Sequence, residues 1–158
     1  MRARLAVLFA LSLALTAGQV QAAAEDARLI ANRYLDAWND HDAEAASALL
    51  DPKVQYFDSG AATTETSRTQ ARDRIVKVTL KAVPDLQVKM VHKPVIGPRS
   101  IAFEWELTGN RATATATGKQ PVKIRGASIM KIRDGRIWYL GDYYDSDALE
   151  AMLRPVKP

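Results

Sequence analysis

Helical periodicity fills the first half of this chain and strand alternation the second, and that segregation constrains the fold more than any other feature. Over 25–39, Ile30, Tyr34 and Trp38 recur four apart, with Ala27, Ala31 and Leu35 on the same side, the spacing of an amphipathic helix. Asn39-Asp40-His41-Asp42 is a polar break. Asp42 stands where it caps a second helix over 43–50, which buries Ala45, Ala46, Leu49 and Leu50. Asp51-Pro52 stops that helix, because proline has no N–H and restricts its predecessor. Val54 to Asp58 reads as a short strand and 59–66 as a loop. Ser67-x-x-Gln70 is a capping-box signature opening a third helix over 68–82, with Ala71, Ile75, Val78 and Ala82 inward.

From Leu86 onward apolar and polar residues alternate. Strands are expected over Leu86–Val91, Ser100–Thr108, Arg111–Thr117, Pro121–Arg133 and Arg136–Tyr144. Ile101, Phe103, Trp105 and Leu107 share one face, as do Val122, Ile124, Gly126, Ser128, Met130 and Ile132. Asp134-Gly135 is a strong hairpin turn. Asp145 or Ser146 then caps a short terminal helix carrying Leu149, Met152 and Leu153. Helices gathered ahead of hairpin-linked strands imply an α+β fold, with helices packed on one face of a curved antiparallel sheet. A sheet wrapped over a long helix leaves a conical cavity at its open end, a default ligand site.

The chain opens with Arg2 and Arg4, an apolar run from Leu5 to Ala17, and Val20-Gln21-Ala22. That is the layout of a secretory signal peptide over 1–22, too short for a membrane span. A single domain over 23–158 follows, expected in the periplasm or outside the cell. Removing Arg2 and Arg4 takes Lys and Arg from 22 to 20 against 18 Asp and Glu, a net charge of +2. No basic stripe interleaved with aromatics appears, so nucleic acid is not an expected partner. The absence of cysteine rules out a disulfide, a thiol nucleophile and a cysteine zinc site. His41 and His92 lie far apart, and neither metal nor organic cofactor is expected.

Asp58 closes the apolar strand Val54-Gln55-Tyr56-Phe57. A carboxylate aimed at a dry interior has its pKa raised and serves as a proton-transferring base. Its alternative is a strand-end turn residue bonding the N–H groups of Ser59 and Gly60. Tyr34, on the apolar stripe of the first helix, is either a hydrogen-bond donor to a ligand or ordinary core. Trp38, Phe57, Trp105 and Trp138 line the cavity or fill it, and the sequence leaves both open. Tyr56 and Met130 are further ligand-contact candidates. Glu104 and Glu106, with Lys123 and Arg125, are expected on the outer, solvated face.

The strings Arg33-Tyr34, Ala37-Trp38-Asn39-x-His41-Asp42, Leu49-Leu50-Asp51-Pro52 and Val54-x-Tyr56-x-Asp58 resemble the SnoaL-like and ketosteroid-isomerase-like branch of the nuclear-transport-factor-2-like superfamily. Asp134-Gly135-Arg136-Ile137 and Tyr143-Tyr144-Asp145 look like that family's ending. The resemblance implies the cystatin-like roll of that superfamily. It also implies a helix tyrosine, Tyr34, as oxyanion donor and Asp58 as base. The position of a second, acidic donor falls near Ser128, which lacks the carboxylic acid. In SnoaL-like polyketide cyclases the acid/base aspartate lies on a late strand, where Asp142 and Asp145 are the candidates. Asp142 alternates with Trp138 and Leu140. The implied activity is that of an exported isomerase, cyclase or lyase moving a proton next to a carbonyl of a small apolar molecule. A non-catalytic binding or dimerisation module is the alternative. Homodimerisation through the outer sheet face is implied as well.

Overall fold

A computed structural model describes residues 26–112, 118–145 and 147. The leader, the Thr/Ala run over 113–117 and the terminal helix with Leu149, Met152 and Leu153 lie outside the described residues.

Helix α1 runs over 26–39 and buries Ala27, Ile30, Ala31, Tyr34 and Trp38 of the expected stripe, with Ala37 buried in addition and Leu35 half-buried. The polar break after it does structural work. His41 adopts φ +57°, which turns the chain sharply. Its Nε2 donates to the carbonyl of Leu86 at 2.9 Å. The Asn39 side chain donates to Val88 O at 2.9 Å and accepts from Val88 N at 2.7 Å. The end of α1 is thereby clamped to the sheet, with Tyr34 and Trp38 held over its concave face.

Asp42 caps α2 (Ala43–Ala48), its Oδ1 accepting from Ala45 N at 2.8 Å. This helix is shorter than its sequence pattern. Ala45 is exposed, Ala43, Ala46 and Ser47 are buried, and Leu50 already begins β1 (Leu50–Asp58). Strand pairing overrides the helical spacing here, since Ile137 N donates to Leu49 O. Pro52 is tolerated because the register against β7 (Arg136–Tyr144) shifts between Leu50 and Gln55. Arg68 takes up the Leu50 carbonyl through Nε and Nη2.

β2 (Thr63–Glu65) follows within the stretch expected to be loop. Ser67 then caps α3, which covers 68–82 with a π-helical turn at Arg72–Val76. The turn inserts one residue into the helical count. Both Ile75 and Val76 face inward as a result, and Val78, expected inside, is 42% exposed.

The remaining strands are β3 (Gln87–Met90), β4 (Val95–Gly97), β5 (Ser100–Ala112) and β6 (Lys119–Arg133), ahead of β7. β4 was not legible as a strand. The sheet order is β2-β1-β7-β6-β5-β3, with β4 also on β5. It is curved and unclosed, and antiparallel except that β1 and β7 run parallel. The β6–β7 turn places Asp134 at φ +51° and Gly135 at φ +70°, the type I′ geometry that suits a twisted hairpin.

Lys131 pairs with Tyr139 and Ile132 with Ile137, which leaves Trp138 as an extra residue in a bulge. The bulge moves Trp138 off the face of Leu140 and Asp142. Its ring lies instead beneath Lys131 and Arg133, each 5.5 Å from the centroid. On the convex face Glu106 is buried rather than solvated, corrected by three cations that cover it: Arg125 at 3.0 Å, Lys123 at 3.1 Å and Lys89 at 3.3 Å. Hydrogen bonds from Lys123 and Arg125 hold its pKa well below the usual carboxylate value.

Candidate active site

Cross-strand register builds the site. Phe103 on β5 pairs with Ser128 on β6, Ser128 with Asp142 on β7, and Asp142 with Asp58 on β1. Alternation by two puts all four on the concave face. One step along the sheet to one side lies the row Ile101, Met130, Leu140, Tyr56, and one step to the other side Trp105, Gly126, Tyr144. The sheet and the helices enclose a cavity of about 70 Å3 against these rows, with Tyr34, Trp38, Ile75 and Thr79 as its helical wall. That volume accommodates several waters or a small molecule, since a single water needs roughly 10–15 Å3.

Asp142 is the centre of the polar network. Trp105 Nε1 donates to Ser128 Oγ at 2.9 Å, and Ser128 Oγ donates to Asp142 Oδ1 at 2.5 Å. Tyr56 Oη donates to Oδ2 at 2.5 Å. Each oxygen keeps a lone pair beyond the bond it accepts. Burial pushes the Asp142 carboxyl up to about 6, the Ser128 and Tyr56 hydrogen bonds oppose the rise, and the charge of Asp58 adds to it. Burial and the neighbouring Asp142 also raise the Tyr56 hydroxyl, which keeps it a proton donor at any ordinary pH.

Asp58 sits at the end of β1, lines the cavity and is 6% exposed. It faces the cavity and is bonded by the loop as well. Its Oδ1 accepts from the loop amide Ala61 N at 3.0 Å, one residue beyond the expected Ser59 and Gly60. Tyr144 Oη donates to it at 2.8 Å and 3.1 Å from the two oxygens. The amide of Ser59 continues the β1–β7 ladder to Asp142 O, and its Oγ bonds both backbone groups of Tyr144. Glycines make room for the rings. A Cβ on Gly60 would stand 2.4 Å from the Tyr144 ring, and one on Gly126 2.4 Å from Trp105.

Among the described residues the buried Tyr34 Oη finds no hydrogen-bond partner, while Trp38 and Tyr56 approach closely enough to oppose the rise in its pKa. Burial, with the charge of Asp142, drives its pKa upward. It is a hydroxyl whose proton is not yet committed.

The structure therefore gathers Tyr34, Trp38, Tyr56, Asp58, Trp105, Ser128, Met130 and Asp142 around one cavity. Phe57 does not belong with them. It lies on the convex face, 5.5 Å from the Tyr143 ring, because neighbouring strand residues point to opposite sides. Ser128 is in place but its proton goes to Asp142, which makes it a positioning group rather than a free oxyanion donor. Sequence reading missed the part played by Tyr144, although its alternation with Leu140 and Asp142 put it on the same face. Among the described residues no group of three His, Asp or Glu side chains is placed to hold a metal ion.

The SnoaL-like domain family matches residues 31–140, and the chain belongs to that family. Solved structures share its fold at low identity. A protein with a ketosteroid-isomerase-like fold from Catenulispora acidiphila, in complex with trimethylamine, superposes with a TM-score of 0.66 at 20% identity, over 78% of this chain and 90% of its own. A protein from Shewanella putrefaciens assigned to the SnoaL-like polyketide cyclases gives 0.66 at 15%, over 80% and 84%. A nuclear-transport-factor-2-like protein from Burkholderia thailandensis gives 0.65 at 15%, over 80% and 96%. No curated protein matches the sequence. Among the described residues no helix is long and apolar enough to cross a membrane.

Proposed function

We propose that this chain is an isomerase or cyclase that moves a proton next to a carbonyl of a small, largely apolar molecule, with Asp142 as the base. The observation that carries this reading is the Asp142 carboxyl, held through both oxygens at 2.5 Å by Tyr56 and Ser128 on the wall of an apolar cavity. A base with a pKa of about 6 is largely ionised at neutral pH yet keeps real proton affinity. Asp142 takes the proton from the carbon next to the carbonyl. The C–H electron pair forms a carbon–carbon double bond, and the carbonyl π pair moves onto oxygen, which becomes the enolate oxygen. The uncommitted Tyr34 hydroxyl donates to that oxygen, and a preorganised donor in a dry site is effective stabilisation. The protonated Asp142 then returns its proton to a different carbon, or the enolate carbon attacks a second carbonyl, whose π pair moves onto its oxygen and takes the proton from Asp142. Asp58, the base implied by the family resemblance, becomes the charged neighbour that tunes Asp142.

The test is solvent exchange. Simple ketones such as cyclohexanone and acetophenone in heavy water should gain deuterium at the α carbon faster with protein than without, as read by proton NMR. Asp142→Asn should reduce the acceleration by a hundredfold or more, in the range of ~10²–10⁴ for a lost general base. No acceleration by the wild-type protein, or equal acceleration by the variant, would overturn the reading.

We also propose that the chain is exported and pairs with a second copy. Export rests on the Arg2/Arg4 leader and Val20-Gln21-Ala22. Intact-mass analysis of a periplasmic extract should find a chain beginning near Ala23, and a full-length cytoplasmic product would refute it. Pairing rests on the convex face, where Val95, Ala102, Ile129, Gly141 and Phe57 form one cross-strand row. Val95 is 76% exposed and Ile129 38%.

A further inference from the structure

Among the described residues, two carboxyl groups and no basic side chain line the cavity. Asp58 and Asp142 are partners across the β1–β7 pairing and both line the space, and none of its lining residues is Lys, Arg or His. Every donor these carboxyls receive is neutral: the Ala61 amide and Tyr144 hydroxyl for Asp58, the Tyr56 and Ser128 hydroxyls for Asp142. The arginines of α3 are engaged elsewhere, Arg68 with Leu50 O, Arg72 with Glu44 and Asp73, and Arg74 with Glu65. The contrast with Glu106 is sharp, since that residue has three cations around it on the convex face.

Buried charges in proteins are ordinarily paired. Two acids left without a cation, facing one space between low-dielectric walls, focus a negative potential into it. An anionic ligand is repelled there. A hard metal ion is poorly served, because Ca²⁺ takes about six to eight oxygen ligands and much of the lining is apolar, Ile75, Val88 and Leu107 among it. What remains suits an organic cation. Tyr34, Trp38, Tyr56, Phe103, Trp105 and Tyr144 all line the cavity, and aromatic rings attract ammonium groups through their π faces. Asp58 Oδ2 accepts only the longer of the two Tyr144 contacts, at 3.1 Å, and so keeps capacity for another donor or a charge.

We infer that the cavity takes a small organic ammonium cation, its charge seated against Asp58 among the aromatic side chains and its reacting carbon turned toward Asp142. The position of the reacting carbon rests on the proton-transfer reading above; the charge pairing does not. An ammonium next to a carbonyl also acidifies the intervening C–H, so the two halves of the site act on one molecule.

The test uses a matched pair of probes, choline and its uncharged carbon isostere 3,3-dimethyl-1-butanol, with 3,3-dimethylbutanoate as the anion. Calorimetric or ligand-observed NMR titration of the wild-type protein at neutral pH should show choline binding at least ~10-fold more tightly than the alcohol, and no binding of the anion. Asp58→Asn should bring the charged and uncharged probes close to equal affinity. Thr79→Lys, on the helical wall, leaves the carboxyl network untouched and should weaken choline while admitting the anion. Equal or tighter binding of the alcohol, an undiminished choline preference in both variants, or no choline binding at millimolar concentration would each overturn the proposal. Ketone exchange that fails while choline selectivity holds removes only the proton-transfer reading. Choline selectivity that fails while exchange holds removes only the cation site.

Discussion

Replacing Asp142 by Asn should shift the stability balance toward the variant as pH rises through the range in which the buried carboxyl ionises. Burial, and then the charge of Asp58, lift the folded carboxyl from 3.8 to about 6 against the pull of its two hydrogen bonds. In the unfolded chain it returns to an ordinary aspartate value of about 3.9. A raised folded pKa means that the native state binds the proton more tightly. The resulting stability is fully present below the unfolded pKa and is lost as pH rises through the folded one. The window therefore runs from about pH 4 to a little above pH 6. A gap of about two units, at about 1.4 kcal/mol each, amounts to about 3 kcal/mol. The amide does not titrate. The stability difference between variant and wild type should thus move by about 3 kcal/mol in the variant's favour from about pH 4 to about pH 8. Urea denaturation of both proteins across that range measures it. Any constant offset from exchanging a carboxyl for an amide cancels, because only the change with pH is read. A flat difference, or one that increasingly favours the wild type at high pH, would refute the placement of Asp142 in a dry wall.

Tyr34→Phe removes a buried hydroxyl that has no partner among the described residues, so urea unfolding should show no loss of stability, and a gain of up to about 1–3 kcal/mol, while the exchange rate falls; a clear destabilisation would mean that the hydroxyl is already satisfied. Gly126→Ala drives a methyl into the Trp105 ring and should cost about 1–3 kcal/mol by overpacking, together with loss of the Trp105–Ser128 hydrogen bond, visible as a shifted indole N–H resonance. The mature domain should sediment as a dimer at micromolar concentration, and Ile129→Lys should convert it to a monomer with its thermal transition otherwise cooperative; a wild-type monomer would count against pairing through the convex face.

Much of the fold was legible because its determinants are local. The apolar stripe of α1, the Asp42 cap, the Asp134-Gly135 turn and the alternation of β5 and β6 each depend on residues within a few positions of one another. The departures come from distant partners. β7 captures Leu49 and Leu50 and so shortens α2. The π turn rotates Val78 outward, and the bulge at Trp138 changes the parity of β7; neither extra residue leaves a periodic signature. For the site, single residues were readable and their relations were not. Tyr34, Asp58, Ser128 and Asp142 could be nominated from type and alternation. That Ser128 donates to Asp142 depends on the register of the β6–β7 hairpin, and that Asp58 is occupied by Tyr144 depends on β1 and β7 lying side by side. Segments more than eighty residues apart make that pairing, and no spacing in the sequence declares it. Phe57 was misplaced for a simpler reason: it neighbours two inward residues, and a strand cannot turn adjacent side chains the same way.

The position of β7 has a consequence for how the molecule comes into being. It is the last strand among the described residues but lies in the interior of the sheet, between β1 and β6. Until it is made, β1 with β2 and the β3–β6 meander are two unjoined fragments, and Asp58 and Ser128 belong to different ones. A growing chain thus holds every other part of the site before it holds the site itself. The strand that brings Asp142 is also the strand that makes the sheet continuous, so assembly of the chemistry and completion of the architecture are one event.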